Sequence, residues 1–543
     1  MKNRLTRIFA IAVMALLPLS CDSLLNLESE TRVTNNYLYS SKDGLQRAIA
    51  GLYVYERDHI AGTHDSDSPV LYIVQMLDYD TDILFFRAGN CADIARLNTM
   101  SATSQGVEAY WKTHYAIIGK ANEIIAAAKK LGLDDSEIAT IDAEAKLFRA
   151  RSYFELYKHF GRIYLNTEVT DSDNLNRVYK PATKEQVFKL IDDDLEDAIA
   201  GLGWKLPDQN GTPMYGRYTK AVAKHVRAQV AMWEEDWDKA IEECEDIFTD
   251  GKPYYDLQDS TMAVFSSADL RGKEVLYAYQ FSKNIGGGGE VQGSKLVGHV
   301  LSINTTAEYK SVPGCQCEAA QGGRGFGRMF PNSYLLSLYD QQKDKRYEGM
   351  FRHWYYYNVE GGAHYGEKVP RNLDGLSYAR YTHPMSIKHA DFWTNEDQPD
   401  RQSSFRDLIV YRLAETYLMC SEAYYHRDGG TSEKAIEYFN KTYARAGNDP
   451  RTGSITLDDL LDEYARELNF EGVRWPLLKR LGILADRCIA HNGDTMAEEP
   501  LLDEDYAHAR TYFVRGKHEN WPIPANQILL MGEENFPQNQ GWN

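Results

Sequence analysis

The chain has 543 residues, 43% hydrophobic and 26% charged, which fits folded protein and excludes wholesale disorder. Lys and Arg number 60 against 79 Asp and Glu, and the resulting charge of −19 argues against nucleic acid as a partner, because neutralising phosphates needs clustered cations. Its seven cysteines include no CxxC and no zinc-site spacing, and they are too sparse for a disulfide scaffold.

Residues 1–20 read as an export signal. Lys2, Arg4 and Arg7 precede an apolar run from Ile8 to Leu17, which is too short to span a bilayer, since a span takes about 20 apolar residues. Cys21 follows Ser20 at the position where a bacterial lipoprotein is cleaved and acylated, and several acyl chains anchor stably where one does not. Pro18 stands where such sites usually carry Leu, so an ordinary cleavage site with an incidental cysteine is the competing reading. Residues 21–40 are then the anchor and a polar tether.

From 41 to 250 the pattern is helical. The segment 43–57 lines Leu45, Ile49, Leu52 and Tyr53 along one stripe, and 107–130 does the same with Trp111, Tyr115, Ile118, Ile125 and Ala128. A helix over 136–160, capped by Ser136, stops at Gly161, and another over 184–200 opens with Thr183. Residues 219–249 and 410–446 look like repeats of one unit. Ala228 and Ala240 are twelve apart, as are Ala423 and Ala435, and small residues at that offset let two antiparallel helices approach closely, as in tetratricopeptide pairs. Cys244 and Cys420 fall in these units and read as small core residues, as Trp111, Trp233 and Trp237 read as core aromatics.

Residues 251–405 form a loop-rich insertion. Glycines cluster at 284–293 and 321–328, and 274–281 and 350–359 alternate as strands do. Within 350–359, Trp354 reads as a packed residue. Helical character returns at 406–426 and 457–490, and the prolines of the tail forbid a continuing helix, so 406–543 is a C-terminal helical part. Glu467 and Glu471, one turn apart, repel unless cations such as Arg466, Arg474, Lys479 or Arg480 intervene, which reads as a structural charge network over a catalytic carboxylate pair.

Five blocks, in order behind the export signal, resemble the SusD/RagB family of outer-membrane nutrient-binding lipoproteins. They are IDAEAKLFRARSYFELYKHFGRIYL (141–165), DLIVYRLAETYLMCSEAYYHRDG (407–429), AIEYFNKTYARAG (435–447), DEYARELNFEGVRWPLLKRLG (462–482) and WPIPANQILL (521–530). The resemblance implies a mostly α fold, an α-α superhelix of tetratricopeptide-like pairs with an irregular ligand-binding insertion of loops and short strands. It also implies a place on the outer membrane, a SusC-like TonB-dependent barrel as partner, and capture of glycan for import. RagB-type peptide or other nutrient cargo, and a non-transport adhesin or scaffold, remain the alternatives.

Sugar binding needs aromatic faces against pyranose C–H groups and polar side chains for the hydroxyls. Two stretches offer both. One is 78–100, with Phe85, Phe86, Arg87 and Asn90, and the other is the insertion, with Tyr277, Tyr279, Arg324, Phe326, Arg328 and Trp393. DYDTD at 78–82 lacks the Gly and Glu of an EF-hand and leaves only an irregular calcium site as an option; no other cofactor is expected. Cys315 and Cys317 are too close in sequence for a relaxed disulfide with each other, while Cys91 could pair with either if their loops meet. GGRGFG (322–327) lacks the strand–loop–helix context of a nucleotide loop, and neither HExxH nor GxSxG occurs; the chain is read as a binding protein and not an enzyme, with a glycan-cleaving hydrolase that uses scattered carboxylates as a further alternative.

Overall fold

The structure, a computed structural model, describes residues 38–61, 81–87, 94, 96–170, 177–267, 269–283, 298–376, 378–394, 396–493 and 508–542. Cys21, Asn90 and Cys91 lie outside them.

Helix α1 (Lys42–Glu56) starts one residue before the predicted 43–57, because Ser41 accepts a hydrogen bond from the Gly44 N–H. It packs on α2 (Gln105–Leu131), which packs on α3 (Ser136–Phe160), which packs on α4 (Lys184–Gly201). The cap of α3 is Asp135, not Ser136. Its carboxylate accepts from the N–H groups of Glu137 and Ile138 and puts negative charge at the positive end of the helix dipole. Thr183 and Gln186 cap α4 reciprocally.

Two helix pairs follow, α5 (Lys220–Glu234) with α6 (Trp237–Thr249), and α7 (Leu413–Asp428) with α8 (Glu433–Tyr443). Ala228, Ala240, Ala423 and Ala435 are all fully buried, and α7 and α8 come close enough for the Ser421 hydroxyl to donate to the Ala435 carbonyl at 2.6 Å. The pairs stack on each other although about 160 residues separate them. Phe248 of α6 lies parallel to Tyr417 of α7 at 3.9 Å, and Glu245 accepts from the Tyr424 and Tyr438 hydroxyls at 2.8 and 2.7 Å. Cys244 and Cys420 are buried here as free thiols, and Trp111 is core, whereas Trp233 and Trp237 are only half-buried.

Four short strands tie the insertion down: β1 (Leu84–Phe86), β2 (Val275–Tyr279), β3 (Met329–Pro331) and β4 (Leu408–Arg412). Antiparallel pairing of β2 with β4 closes the neck through which the chain leaves and re-enters the helical body, and β1 pairs with β3, Phe85 opposite Phe330. The helix expected from 406 therefore begins only at Leu413, because residues 408–412 have a strand partner 130 residues upstream. In 350–359, Phe351–Arg352 pairs with Met385–Ser386 after a helical turn, Arg346–Met350, and Tyr356 makes an antiparallel bridge with Lys368. The predicted helix over 457–490 is three helices, α9 (Leu457–Leu468), α10 (Arg474–Arg480) and α11 (Leu484–His491), broken where Phe470 (φ 61°) and Gly482 (φ 71°) turn left-handed. The tail adds α12 (Ala525–Met531) after Trp521, whose indole packs on Tyr110 and Phe160. One continuous core runs from Leu45 to Phe536, and the insertion has a small core of its own around Tyr309 and Tyr355.

Glu467 of α9 and Glu471 in the turn that follows it form the charge network. Glu467 is fully buried and accepts from Arg346 at 2.8 Å, Arg412 at 2.7 Å and Arg445 at 2.7 Å, while Glu471 takes Arg412 at 2.6 Å and Lys388 at 2.6 Å. Burial alone would raise the Glu467 carboxyl; the three guanidiniums outweigh it and hold it far below the usual range. Arg474 serves a different carboxylate. Its Nε and Nη2 donate to Asp82 at 2.9 and 2.6 Å, and Arg487 adds a third bond to it.

Candidate functional site

The two stretches expected to hold ligand are brought together, but by different residues from those the sequence singles out. The β1–β3 ladder carries the first stretch into the insertion. Arg87, at the end of β1, donates from Nε to the Gly327 carbonyl at 2.6 Å and from Nη2 to the Phe326 carbonyl at 2.8 Å. This pins the loop 324–328, where the half-buried Phe326 ring lies between two guanidiniums, Arg324 at 5.2 Å and Arg328 at 4.7 Å from its centre. Arg324 reaches the exposed carboxylate of Asp400 at 3.3 Å, and Lys310 reaches the same oxygen at 2.5 Å. Burial would raise the Asp400 carboxyl, yet bonds from Lys310 and Cys317 and the charge of Arg324 hold it below the usual carboxylate range. The Cys317 thiol, pushed up to about 12 by burial and by donating to Asp400, stays protonated.

Three predicted residues are placed elsewhere. Phe85 and Phe86 are 2% and 1% exposed, because β1 is covered on both faces: Phe86 belongs to the main core, and Phe85 packs on Phe330 at 5.3 Å. Neither ring is presented at the surface. Tyr279 is 3% exposed, held in β2 at the neck beside Tyr277. Trp393 is half-buried on the loop that brings Asp400 to Arg324, with the Arg406 guanidinium stacked 4.7 Å from its ring. Cys315 and Cys317 are free thiols.

Beside the Arg–Phe–Arg loop stands a hairpin that the sequence reading leaves out. Its legs are held by the Tyr357 N–H donating to the Glu367 carbonyl at 3.0 Å, the Gly366 N–H to the Tyr357 carbonyl at 2.8 Å and the Val369 N–H to the Tyr355 carbonyl at 2.9 Å. Tyr355 and Val369 face the small inner core, and residues 360–368 are all exposed. The ring of Tyr365 is 56% exposed and that of Tyr356 40%. Trp354, read as packed, is half-buried with Lys368 and Arg371 over its ring at 4.9 and 4.3 Å. The Asn358 amide clasps Gln316, its Oδ1 accepting at 2.7 Å and its Nδ2 donating at 3.0 Å. Gly314 lets the clasp close: at φ 93° it faces Tyr357, and a Cβ there would sit 3.0 Å from that ring. Gln321 joins hairpin and loop by pairing with both backbone groups of Tyr356, at 3.2 and 3.3 Å.

The resulting surface sets exposed rings among fixed guanidiniums, a carboxylate and amides. It can cover apolar ring faces and bond hydroxyls at once. The alternation of 350–359 was legible; the missed signal was the Glu-Gly-Gly turn at 360–362, which folds that run back into a hairpin.

A model of the SusD family matches residues 291–542, and one described as starch-binding and associating with the outer membrane matches 65–230. SusD-like protein P2 of Formosa agariphila is 26% identical over 463 residues, 82% of each chain. A SusD-like protein of Bacteroides ovatus is 22% identical, covering 87% of this chain and 81% of its own. Among solved structures, a laminarin binding SusD-like protein superposes with a TM-score of 0.70 at 23% identity, covering 93% of this chain and all of that one. Surface glycan-binding protein A from Bacteroides thetaiotaomicron, in complex with laminarihexaose, gives 0.68 at 19% identity, over 92% and 99%. At these identities the structural likeness establishes the shared fold.

Proposed function

The chain belongs to the SusD family, and we propose that it is a cell-surface lipoprotein that captures oligo- or polysaccharide and hands it to a SusC-like TonB-dependent barrel of the outer membrane. Cys21 carries the acyl anchor. The observation that carries the glycan reading is the exposed rings of Tyr356 and Tyr365 on a hairpin that Gln321 ties to the segment carrying Arg324, Phe326 and Arg328. Laminarin-binding and laminarihexaose-bound neighbours support a saccharide ligand and put laminarin at the head of the list to try.

The test is calorimetric titration of the mature chain lacking Cys21 against laminarin, other plant, host and microbial polysaccharides, and a peptide digest. Saccharide binding that disappears in Tyr365→Ala and Phe326→Ala is the expected result. Binding to peptides alone moves the cargo to the RagB-type reading, and silence across the panel removes the glycan claim. Delivery is checked separately, by asking whether the full chain in detergent co-purifies with a barrel from its own membrane.

A further inference from the structure

Away from that surface, the helical body contains a cavity of about 130 Å³ where α3, α5, the β2–β4 neck and α10 meet. This is near the size of an engineered apolar cavity that holds benzene. Much of its wall is apolar, contributed by Phe154, Met232, Leu408, Met419 and Leu477. Ile409, Val410, Val473 and Pro476 are half-buried at its edge, so it opens to the outside between the neck and α10.

Three polar groups in the same wall have atoms that no protein group meets. His159 donates from Nδ1 to the Glu155 carbonyl at 2.7 Å, which leaves Nε2 a buried acceptor without a partner. The imidazole is neutral, its pKa pushed down to about 3 by burial. Gln229 spends its amide N–H on Glu415 at 2.7 Å, and its Oε1 is buried without a partner. Arg480 donates through Nη2 to Glu422 at 2.8 Å, and its Nη1 is buried without one. A buried polar atom left without a hydrogen bond destabilises the protein, so three around one cavity mark a place where a guest is favoured. The formal charges of the wall cancel, Arg151, Lys158 and Arg480 against Glu155, Glu415 and Glu471, so the favoured guest is neutral. Phe470, held at φ 61° where bulky residues rarely sit, also walls the space, a conformation that recurs at ligand clamps.

We propose that this cavity is a second binding site, distinct from the hairpin surface, for a small neutral ring compound carrying two hydroxyl groups. The hydroxyls donate to His159 Nε2 and Gln229 Oε1, and one hydroxyl oxygen accepts from Arg480 Nη1. The apolar side chains take the ring faces. Tyr279, expected at the outer ligand surface, is part of this wall instead.

The test is saturation-transfer NMR on the full mature chain with resorcinol, toluene and myo-inositol, together with a crystal structure of the chain soaked in resorcinol. Resorcinol should bind saturably, and more tightly than toluene, which has no hydroxyl to offer. Myo-inositol should not bind, because its other hydroxyls would face apolar wall. Gln229→Met should weaken resorcinol about three- to tenfold, the worth of one hydrogen bond. Val473→Trp, which blocks the edge without emptying the core, should abolish binding even if Gln229→Met folds poorly. Absence of saturable binding, affinity unchanged in Val473→Trp, inositol preferred over resorcinol, or density for water alone would each overturn the proposal.

Discussion

Two regions of this protein use the same side chains to opposite ends. Around α9, Arg346, Arg412 and Arg445 meet Glu467 and Glu274 with water excluded. In the insertion, Arg324 and Lys310 meet Asp400 at an exposed edge, and the aromatics beside them are open. The first arrangement cannot lose a member cheaply, because a buried charge left alone has neither partner nor solvent. The second can, because water replaces whatever is removed. Binding surfaces need that second property, since a ligand must exchange with water on the same groups.

The comparison breaks most visibly at Arg412. Arg412→Met leaves Glu467, Glu471 and Glu274 short of a guanidinium and should cost about 3–5 kcal/mol, read as a lowered urea midpoint. A midpoint shift as small as that of a surface variant would mean that the network is wet.

Acid should separate the regions next. His114, His159, His383 and His389 are pushed down to about 3 by burial, so the folded state keeps them neutral. Their stabilisation is full above an ordinary histidine value of about 6.5 and is lost as pH falls toward 3. Glu155 is held down to about 2, burial opposing and the Lys158 charge outweighing it, so its share is present above an ordinary value of about 4.3 and disappears toward 2. Both act in one direction, and the urea midpoint should fall steadily from pH 7 to pH 3.5. A flat midpoint down to pH 4 would contradict the buried-histidine account.

On the surface side, Tyr365→Ala and Tyr356→Ala should weaken saccharide binding by about tenfold or more each, while stability moves within about 0.5 kcal/mol. Equal loss of stability and binding would show that the rings pack and do not present a face. The smallest effect belongs to Asp400→Asn, about 0–1 kcal/mol in stability, with affinity altered only a few-fold, by titration.

The sequence reading was most secure where contacts are local. Helices α2, α3 and α4 and the paired alanines follow from spacing within a few turns, and the family blocks add order along the chain. It failed where a partner lay far away. Residues 408–412 carry the hydrophobicity of a helix start and become a strand only because Val275–Tyr279 is there to pair with them. Phe85 and Phe86 look like exposed platforms until Phe330 and the helical core cover both faces of β1. Glu467 and Glu471 announce a charge network, but three of its cations, Arg346, Arg412 and Arg445, come from outside the segment that holds the glutamates.

Sequence by itself determined the helical class, the family, and that aromatic side chains are enriched in the insertion. Periodicity and composition are written in neighbouring residues, and helix formation rewards neighbours. Only the tertiary structure decided which aromatics face water. An aromatic ring can serve as core or as platform equally well, and the choice is made by whether a distant segment arrives to cover it, as Phe330 covers Phe85 and nothing among the described residues covers most of Tyr365.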